Sequence, residues 1–261
     1  PKDMILSGDI VRPRMHIVNL EDFRGDIEDD TSIDIKATIE AFETHDGVLG
    51  EHLGAKMLVC CKGTEHLIQM LESSQMKRFK EDNPNVDIFD ITSHCGPRIN
   101  GVVVNRQVFL KELGNVGKDD SKKALIFHLE ILKEGIDVPG ITGVMFFTNP
   151  DMIEFMQNLG RATRLHVKDR ANLHAEPPVM MPDELDKFVK PYAWIIVPVY
   201  ASEDLTINLE TKVKSLRDTG FDASQDVLIQ FNKGLYEKKE LENLLGIDEK
   251  VKLIPDSVED I

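Results

Sequence analysis

Three polar side chains able to bind a phosphate group recur at helical spacing in the second half of the sequence. Gln157, Arg161 and Arg164 stand at positions i, i+4 and i+7, which places side chains on one face of an α-helix. Asn149, followed by proline, can cap such a helix, so we predict a helix over 150–165. Guanidinium groups in this arrangement can donate a fork of hydrogen bonds to phosphate oxygens. For the helix taken alone, a solvated surface with salt bridges is the simpler interpretation.

The other side of this helix is apolar and is expected to face a core. It carries Met152, Phe155, Met156 and Leu159. Gly160 interrupts the pattern and should cost about 1 kcal/mol relative to alanine. A glycine at this place indicates close approach by a neighbour or a ligand.

Composition limits the classes of function. The 261 residues carry a formal net charge of −15, so a basic surface that grips nucleic acid over its whole extent is excluded and phosphate contacts must be local. Three cysteines in a chain of this size form no disulfide framework, which predicts a reducing, cytoplasmic location. Cysteine and histidine spacing indicates no metal site. No apolar run is long enough to span a membrane, and residues 1–6 do not have the pattern expected of a signal peptide.

Strand and helix patterns alternate along the middle of the chain, which predicts an α/β fold with a parallel sheet covered by helices on both faces. We expect a leader and packing helix over 1–54, the sheet domain over 55–200, and a helical extension with an acidic tail over 201–261. Strands are predicted at 16–20, 56–61, 86–91, 124–129, 143–147 and 193–199, and helices at 33–44, 48–53, 64–83, 107–114, 150–165, 209–216, 227–235 and 238–245.

The loop Gly135-Ile136-Asp137-Val138-Pro139 precedes the arginine-bearing helix by one strand. Together, this loop and the Gln-x-x-Gly-Arg-x-x-Arg segment resemble motifs V and VI of superfamily 2 helicases. The resemblance implies the C-terminal RecA-like lobe of a motor, over 56–200. It implies that Arg161 and Arg164 are arginine fingers reaching the γ-phosphate of ATP, and that Gly135, Asp137 and Gln157 belong to the ATP site.

Two upstream segments and one strand end have weaker counterparts in the same family. Residues 56–66 resemble motif IV, in which a buried strand opens onto a helix N-terminus that suits phosphate, and 92–94 follow the next strand. The resemblance implies nucleic-acid contacts from Lys62, Gly63, Thr64, Thr92, Ser93 and His128. Simple loop capping explains Thr64 equally well and is the preferred interpretation for Ser93.

Within the superfamily, Leu132-Lys133-Glu134-Gly135 is closer to restriction-enzyme translocases than to DEAD-box RNA helicases. The segment 193–200 is likewise similar to the closing strand of restriction-type helicases. Lys133 stands where a hydroxyl is usual, and Leu129 where many relatives carry a small or polar residue, so these two positions depart from the pattern.

The sequence lacks the residues that would hold ATP and Mg²⁺. A phosphate loop needs G-x-x-x-x-G-K-[ST], whereas Gly114-Asn115-Val116-Gly117-Lys118-Asp119 has the wrong spacing and is predicted to be a charged surface loop. The pairs at 183–184 and 248–249 follow no apolar strand, so neither resembles a Mg²⁺-binding acidic pair. We therefore expect ATP and Mg²⁺ to be held mainly by an N-terminal RecA-like lobe of the same polypeptide. The chain, which begins at Pro1, is expected to be part of a longer protein and inactive alone.

The leading hypothesis is the motor lobe of an ATP-dependent DNA helicase or translocase of a restriction-modification or phage-defence system. A non-catalytic RecA-like interaction module and an RNA helicase lobe are the alternatives. The negative net charge does not distinguish between these three hypotheses.

Overall fold

The computed structural model describes residues 2–23, 29–92, 95–129, 138–148, 152–199 and 229–231. Within these ranges the backbone forms one nine-stranded sheet in the order β5-β4-β3-β6-β2-β7-β8-β1-β9. Along the sheet from β3 to β9 every pairing is parallel, and only the pairings of β4 with β3 and with β5 are antiparallel. The strands are β1 Arg12–Asn19, β2 Lys56–Cys60, β3 Val86–Thr92, β4 Gly96–Ile99, β5 Val102–Val103, β6 Lys123–His128, β7 Gly143–Phe146, β8 Tyr192–Val199 and β9 Ile229–Phe231.

Helices cover both faces of this sheet, which confirms the predicted α/β architecture. They are α1 Lys2–Leu6, α2 Asp30–Leu49, α3 Thr64–Glu72, α4 Ser74–Asp82, α5 Arg106–Lys118, α6 Met152–Ala162 and α7 Val167–Leu173, with short 3-10 helices at Leu20–Phe23, Gly50–His52 and Leu185–Lys187. On the first face, Phe42, Leu67 and Phe79 bring α2, α3 and α4 into one apolar cluster. On the second face, Phe109 and Phe155 bring α5 and α6 into another, which α1 and α7 complete.

The central strands are apolar on both faces because both faces are covered. All five residues of β2 and all four of β7 are buried. Among the described residues, no helix combines the length and the apolar character that crossing a bilayer requires.

Helix α2 is longer than its apolar pattern predicted. Asp29 begins it, since its carboxylate accepts hydrogen bonds from the backbone N–H groups of Thr31 (3.2 Å) and Ser32 (2.9 Å). Hydrogen bonding, first from Ser32, lowers the pKa of Asp29. The helix runs to Leu49 and ends at Gly50, whose φ of 70° favours glycine. The predicted separate helix over 48–53 is therefore wrong, because only a 3-10 turn follows α2.

The predicted helix over 64–83 is two helices. Ser73 adopts ψ of 152°, which interrupts the helical path, and its hydroxyl accepts a hydrogen bond from the N–H of Met76 at 3.1 Å. Ser73 therefore caps α4. Both halves still pack on the first face, through Met70 and Met76.

An antiparallel hairpin, β4 and β5, extends the sheet where no strand was predicted. Its turn contains Asn100 (φ 51°) and Gly101 (φ 81°), the residue types that adopt positive φ most readily. The Asn100 carboxamide oxygen accepts a hydrogen bond from Ile88 N–H at 2.9 Å. The turn is thereby attached to β3.

Strands from the first and the last described segments of the chain are neighbours in the sheet. The strand predicted at 16–20 is confirmed as part of β1, which lies between β8 and β9. The predicted helix over 227–235 is wrong at its centre, because Ile229–Phe231 pairs with β1, with Met15 opposite Ile229. The rest of the predicted extension over 201–261 lies outside the described residues.

Candidate functional site

The carboxyl edge of the parallel sheet contains a topological switch point. Strands β2 and β7 are hydrogen-bonded neighbours, but β2 continues into α3 on the first face and β7 is followed by α6 on the second. Chains that leave adjacent strands toward opposite faces open a crevice at the carboxyl ends, where α/β proteins bind ligands. The residues after β2, and the first turn of α6, where Phe155 contacts Phe146 at the end of β7, border this crevice.

A polar cluster built from four elements occupies the first-face side of the crevice. The Lys62 ammonium donates to Asp34 Oδ2 at 2.5 Å, and His66 Nε2 lies 2.9 Å from the same oxygen. His66 Nδ1 accepts from the Lys62 backbone N–H at 3.3 Å, so Nε2 carries the proton and is the donor to Asp34. Phe147, after β7, stacks edge-on against His66 with ring centroids 5.4 Å apart, and the Lys62 ammonium lies 5.6 Å from its centroid.

This cluster anchors the exposed Lys62 to the fold. The side chain of Lys62 is 42% exposed, whereas that of Asp34 is fully buried, and a buried carboxylate requires such charged and hydrogen-bonding partners. Sequence reasoning placed Lys62 at this edge but missed Asp34 and Phe147. The charged residue between two apolar ones in Ile33-Asp34-Ile35 was the signal that could have identified Asp34.

Gly63 and Thr64 form the start of α3, as predicted for the motif IV segment. Gly63 is the N-cap in an extended conformation and gives no side-chain cap, and a Cβ at this position would meet no atom within 4 Å. The first N–H groups of α3 therefore lack a side-chain acceptor from Gly63 and lie beside Lys62. An anion is favoured at such a helix start.

Two predicted nucleic-acid contacts are corrected by burial. Thr92 is 5% exposed and its hydroxyl accepts a hydrogen bond from Cys95 N–H at 2.9 Å. His128 is 1% exposed, with Nε2 3.4 Å from Cys60 Sγ. Burial, together with the charge of Arg161, lowers the pKa of His128 to about 3. Direct contact with a phosphate requires an exposed donor, which neither side chain provides; Ser93 lies outside the described residues.

Helix α6 presents Gln157 and Arg161 on one side, as predicted. Gln157 is exposed and Arg161 is half-buried, while Phe155 and Leu159 on the opposite side are each 1% exposed. The end of α6 lies at the amino edge of the sheet, because Ala162 O accepts a hydrogen bond from Lys190, just before β8, and Thr163 O accepts one from Val11, just before β1. Gln157 and Arg161 therefore present hydrogen-bond donors on the second face of the sheet.

Arg164 departs from the predicted helical face. Helix α6 ends at Ala162, so Arg164 lies two residues beyond it, where it forms an isolated antiparallel bridge with Ile10. Its side chain is exposed. The spacing i, i+7 thus does not place Arg164 in one row with Gln157 and Arg161.

Gly160 has no close neighbour among the described residues, because a Cβ there would meet nothing within 4 Å. The expected approach by a neighbouring part of the described chain is therefore wrong.

Gly135 and Asp137 lie outside the described residues, together with the rest of 130–137. The chain resumes at Val138, which is 1% exposed, and the following Pro139 and Gly140 pack against Gly117 of α5. The predicted surface loop over 114–119 is therefore wrong: residues up to Lys118 belong to α5. This close contact explains the glycine at 117, because an added Cβ would clash with the Pro139 carbonyl oxygen and would lie 2.8 Å from Pro139 Cγ.

The helicase resemblance implies ATP and Mg²⁺, and the described side chains fit the phosphate groups of ATP. Arg161 and Gln157 supply hydrogen-bond donors of the kind that phosphate oxygens accept. In the same described ranges, no group of three or more histidine, cysteine, aspartate or glutamate residues is placed to hold a metal ion. These two described side chains therefore fit phosphate.

One of the solved structures that this chain resembles is a fragment of a restriction enzyme. No family model matches the chain, and no curated protein matches it. A solved fragment described as an HsdR subunit of a type I restriction enzyme from Vibrio vulnificus YJ016 is similar, with 19% sequence identity and a TM-score of 0.46. The match covers 86% of this chain and 37% of that chain, so this chain spans little more than a third of the enzyme fragment it resembles.

Proposed function

We propose that this chain is the C-terminal motor lobe of an ATP-dependent DNA helicase or translocase of the restriction-modification or phage-defence type. The observation that carries the proposal is the pair Gln157 and Arg161 on one side of α6, the helix that follows the central parallel strand β7. The motif V and VI resemblance gives this pair its role. The likeness to an HsdR fragment agrees with the proposal but is too low to support it.

Arg161 is the arginine finger in this proposal. Bound ATP supplies the transferring phosphoryl group, and Mg²⁺ neutralises part of its charge; both are held mainly by an N-terminal RecA-like lobe of the same polypeptide. Arg161 donates hydrogen bonds to the γ-phosphate oxygens, and Gln157 lines the same cleft. Such a finger is typically worth about 10³ to 10⁵ in turnover. Gly135 and Asp137 complete the site, and Arg164 is the second finger, reaching from the turn that follows α6.

Nucleic acid is proposed to bind at Lys62 and the start of α3. The side chain of Lys62 is 42% exposed, so its ammonium can contact a phosphate while it remains hydrogen-bonded to Asp34. Backbone N–H groups at Gly63 and Thr64 add donors without adding charge. Local contacts of this kind are compatible with a chain whose formal net charge is −15.

The test is the ATPase activity of the full-length polypeptide with and without Arg161. We expect Arg161→Ala to lower kcat by about 10³-fold or more while ATP binding, measured with a fluorescent analogue, stays nearly intact. Arg170→Ala is the matched control, because Arg170 is an exposed arginine on the neighbouring α7. Unchanged turnover in Arg161→Ala would reject the proposed role, and absence of ATPase activity in the parent would favour a non-catalytic module.

The nucleic-acid substrate is tested by comparing single-stranded DNA, duplex DNA and RNA as activators of the same enzyme. Lys62→Gln should weaken binding and reduce the dependence of log K on log salt by about one unit or less. Stronger activation by RNA than by either DNA would replace the DNA proposal with an RNA helicase.

A further inference from the structure

The end of the arginine-bearing helix is held by one buried lysine. Lys190, which is 2% exposed, directs its ammonium to three backbone carbonyl oxygens. These are Ala162 O at 2.6 Å, Arg164 O at 2.6 Å and Ile141 O at 2.9 Å. A lysine ammonium has three N–H donors, so each donor has one acceptor.

The carbonyl of Thr163, which lies between Ala162 and Arg164 in the sequence, also accepts a hydrogen bond. Thr163 O accepts a hydrogen bond from the backbone N–H of Val11 at 2.9 Å, at the start of β1. Helix ends leave carbonyl groups without partners inside the helix. In α6, the carbonyls of 162, 163 and 164 are all satisfied by groups from outside the helix.

The lysine itself is fixed from the other side. Asp169, which is fully buried, accepts hydrogen bonds from the backbone N–H groups of Val189 (2.8 Å) and Lys190 (2.9 Å). The backbone N–H groups of two consecutive residues, Val189 and Lys190, are therefore hydrogen-bonded to α7. Its ammonium cannot move away from the helix end without breaking these contacts or burying an unpaired charge.

We propose that Lys190 is a positioning residue for the arginine-bearing turn. By holding Ala162 and Arg164 against Ile141, it fixes the end of α6 relative to the start of β7, and so fixes where Arg161 is presented. Ile141 lies four residues after Asp137, so the same ammonium joins the chain that follows the motif V segment to the end of the motif VI segment. This inference rests on the proposed role of Arg161.

The alternative is that Lys190 only stabilises the fold, and a second buried lysine serves to distinguish the two roles. Lys56 is 1% exposed and donates to Gly54 O at 3.3 Å, at the amino end of β2. Burial lowers the pKa of both lysines, that of Lys190 to about 7. Lys56 is therefore similar to Lys190 in burial, but its ammonium donates to Gly54 O and not to the carbonyl groups at the end of α6.

The experiment compares Lys190→Met, Lys56→Met and Arg161→Ala in the full-length polypeptide, at a temperature where circular dichroism shows each to be folded. Misplacement by about 1 Å can cost on the order of 10²-fold in rate. We expect Lys190→Met to lower kcat by this order with little change in the KM for ATP, and Lys56→Met to keep kcat. Lys190→Arg, which keeps a charged donor group, should recover part of the loss.

A second measurement uses this chain alone and needs no ATPase activity. In the nitrogen-15 spectrum, the side-chain Nε–Hε signal of Arg161 should shift in Lys190→Met and stay in place in Lys56→Met. If Arg161→Ala retains turnover, the proposed function fails and this inference with it. If Arg161→Ala loses turnover while Lys190→Met matches Lys56→Met in kcat and in the Arg161 signal, the positioning role alone is overturned.

Discussion

Two glycines of α5 should respond in opposite ways to the same substitution. Gly114 and Gly117 both lie inside this helix, where alanine is favoured over glycine by about 1 kcal/mol. A Cβ at Gly114 would meet nothing within 4 Å, but at Gly117 it would lie 2.8 Å from Pro139 Cγ and 3.1 Å from Pro139 C, with the Pro139 carbonyl oxygen closer still. Gly114→Ala is therefore expected to stabilise the fold and Gly117→Ala to destabilise it.

The magnitude follows from what the two sites share. Because the helix-propensity gain is the same at both positions, the difference between the variants reports only the clash at Gly117. Forcing an extra carbon into a packed interior typically costs about 1 to 3 kcal/mol. The upper part of this range applies, because the opposing atoms are backbone and Gly140 cannot move away: its own φ is 70° and its Cα is packed against Gly117.

Thermal and urea unfolding followed by circular dichroism would measure the difference. A domain of this size shifts by roughly 2 to 4 °C per kcal/mol, so the Tm of the two variants should differ by several degrees, with Gly114→Ala the higher. Equal Tm values would refute the packing of α5 against 139–140. The same result would remove the structural explanation for Gly117.

Two further predictions concern stability. Burial lowers the pKa of His45 from 6.5 to about 3, so its imidazole stays neutral in the folded protein but takes up a proton in the unfolded chain as the pH falls. Between pH 6.5 and 5 the free energy of unfolding of the wild type should therefore fall by roughly 1.5 kcal/mol more than that of His45→Gln. Urea unfolding at both pH values checks this, and identical losses would contradict it. Ser73→Ala should cost about 1 kcal/mol because α4 loses its cap, whereas Ser74→Ala, an exposed position, should change the free energy of unfolding little; equal effects would show that the cap contributes nothing.

Local patterns were sufficient for the central sheet and for one side of α6. Buried parallel strands such as β2 and β7 are continuously apolar, and Phe155 and Leu159 alternate with Gln157 and Arg161 at the helical period. These features depend on neighbours within a few residues. They could therefore be predicted from the sequence.

The features that were missed depend on partners far along the chain. Helix α6 ends at Ala162 because Lys190 and Val11 occupy the carbonyls of 162–164, and no residue near 162 signals this. His128 was placed correctly at a strand end, but its burial depends on Cys60 in the adjacent β2. Ile229–Phe231 is a strand because β1 offers it an unpaired edge, which overrides its helix-like pattern.

The place of β1 has a consequence for how the sheet can be assembled. Arg12 pairs with Tyr192, and Met15 with both Ile195 and Ile229. During synthesis β1 therefore remains unpaired until β8 has left the ribosome. Pairings between strands so far apart in the sequence are slow to form. Deleting the first 23 residues would remove β1 and leave β8 as an unprotected edge open to self-association. A fragment that starts at the predicted boundary at residue 55 also lacks β1, so it should aggregate.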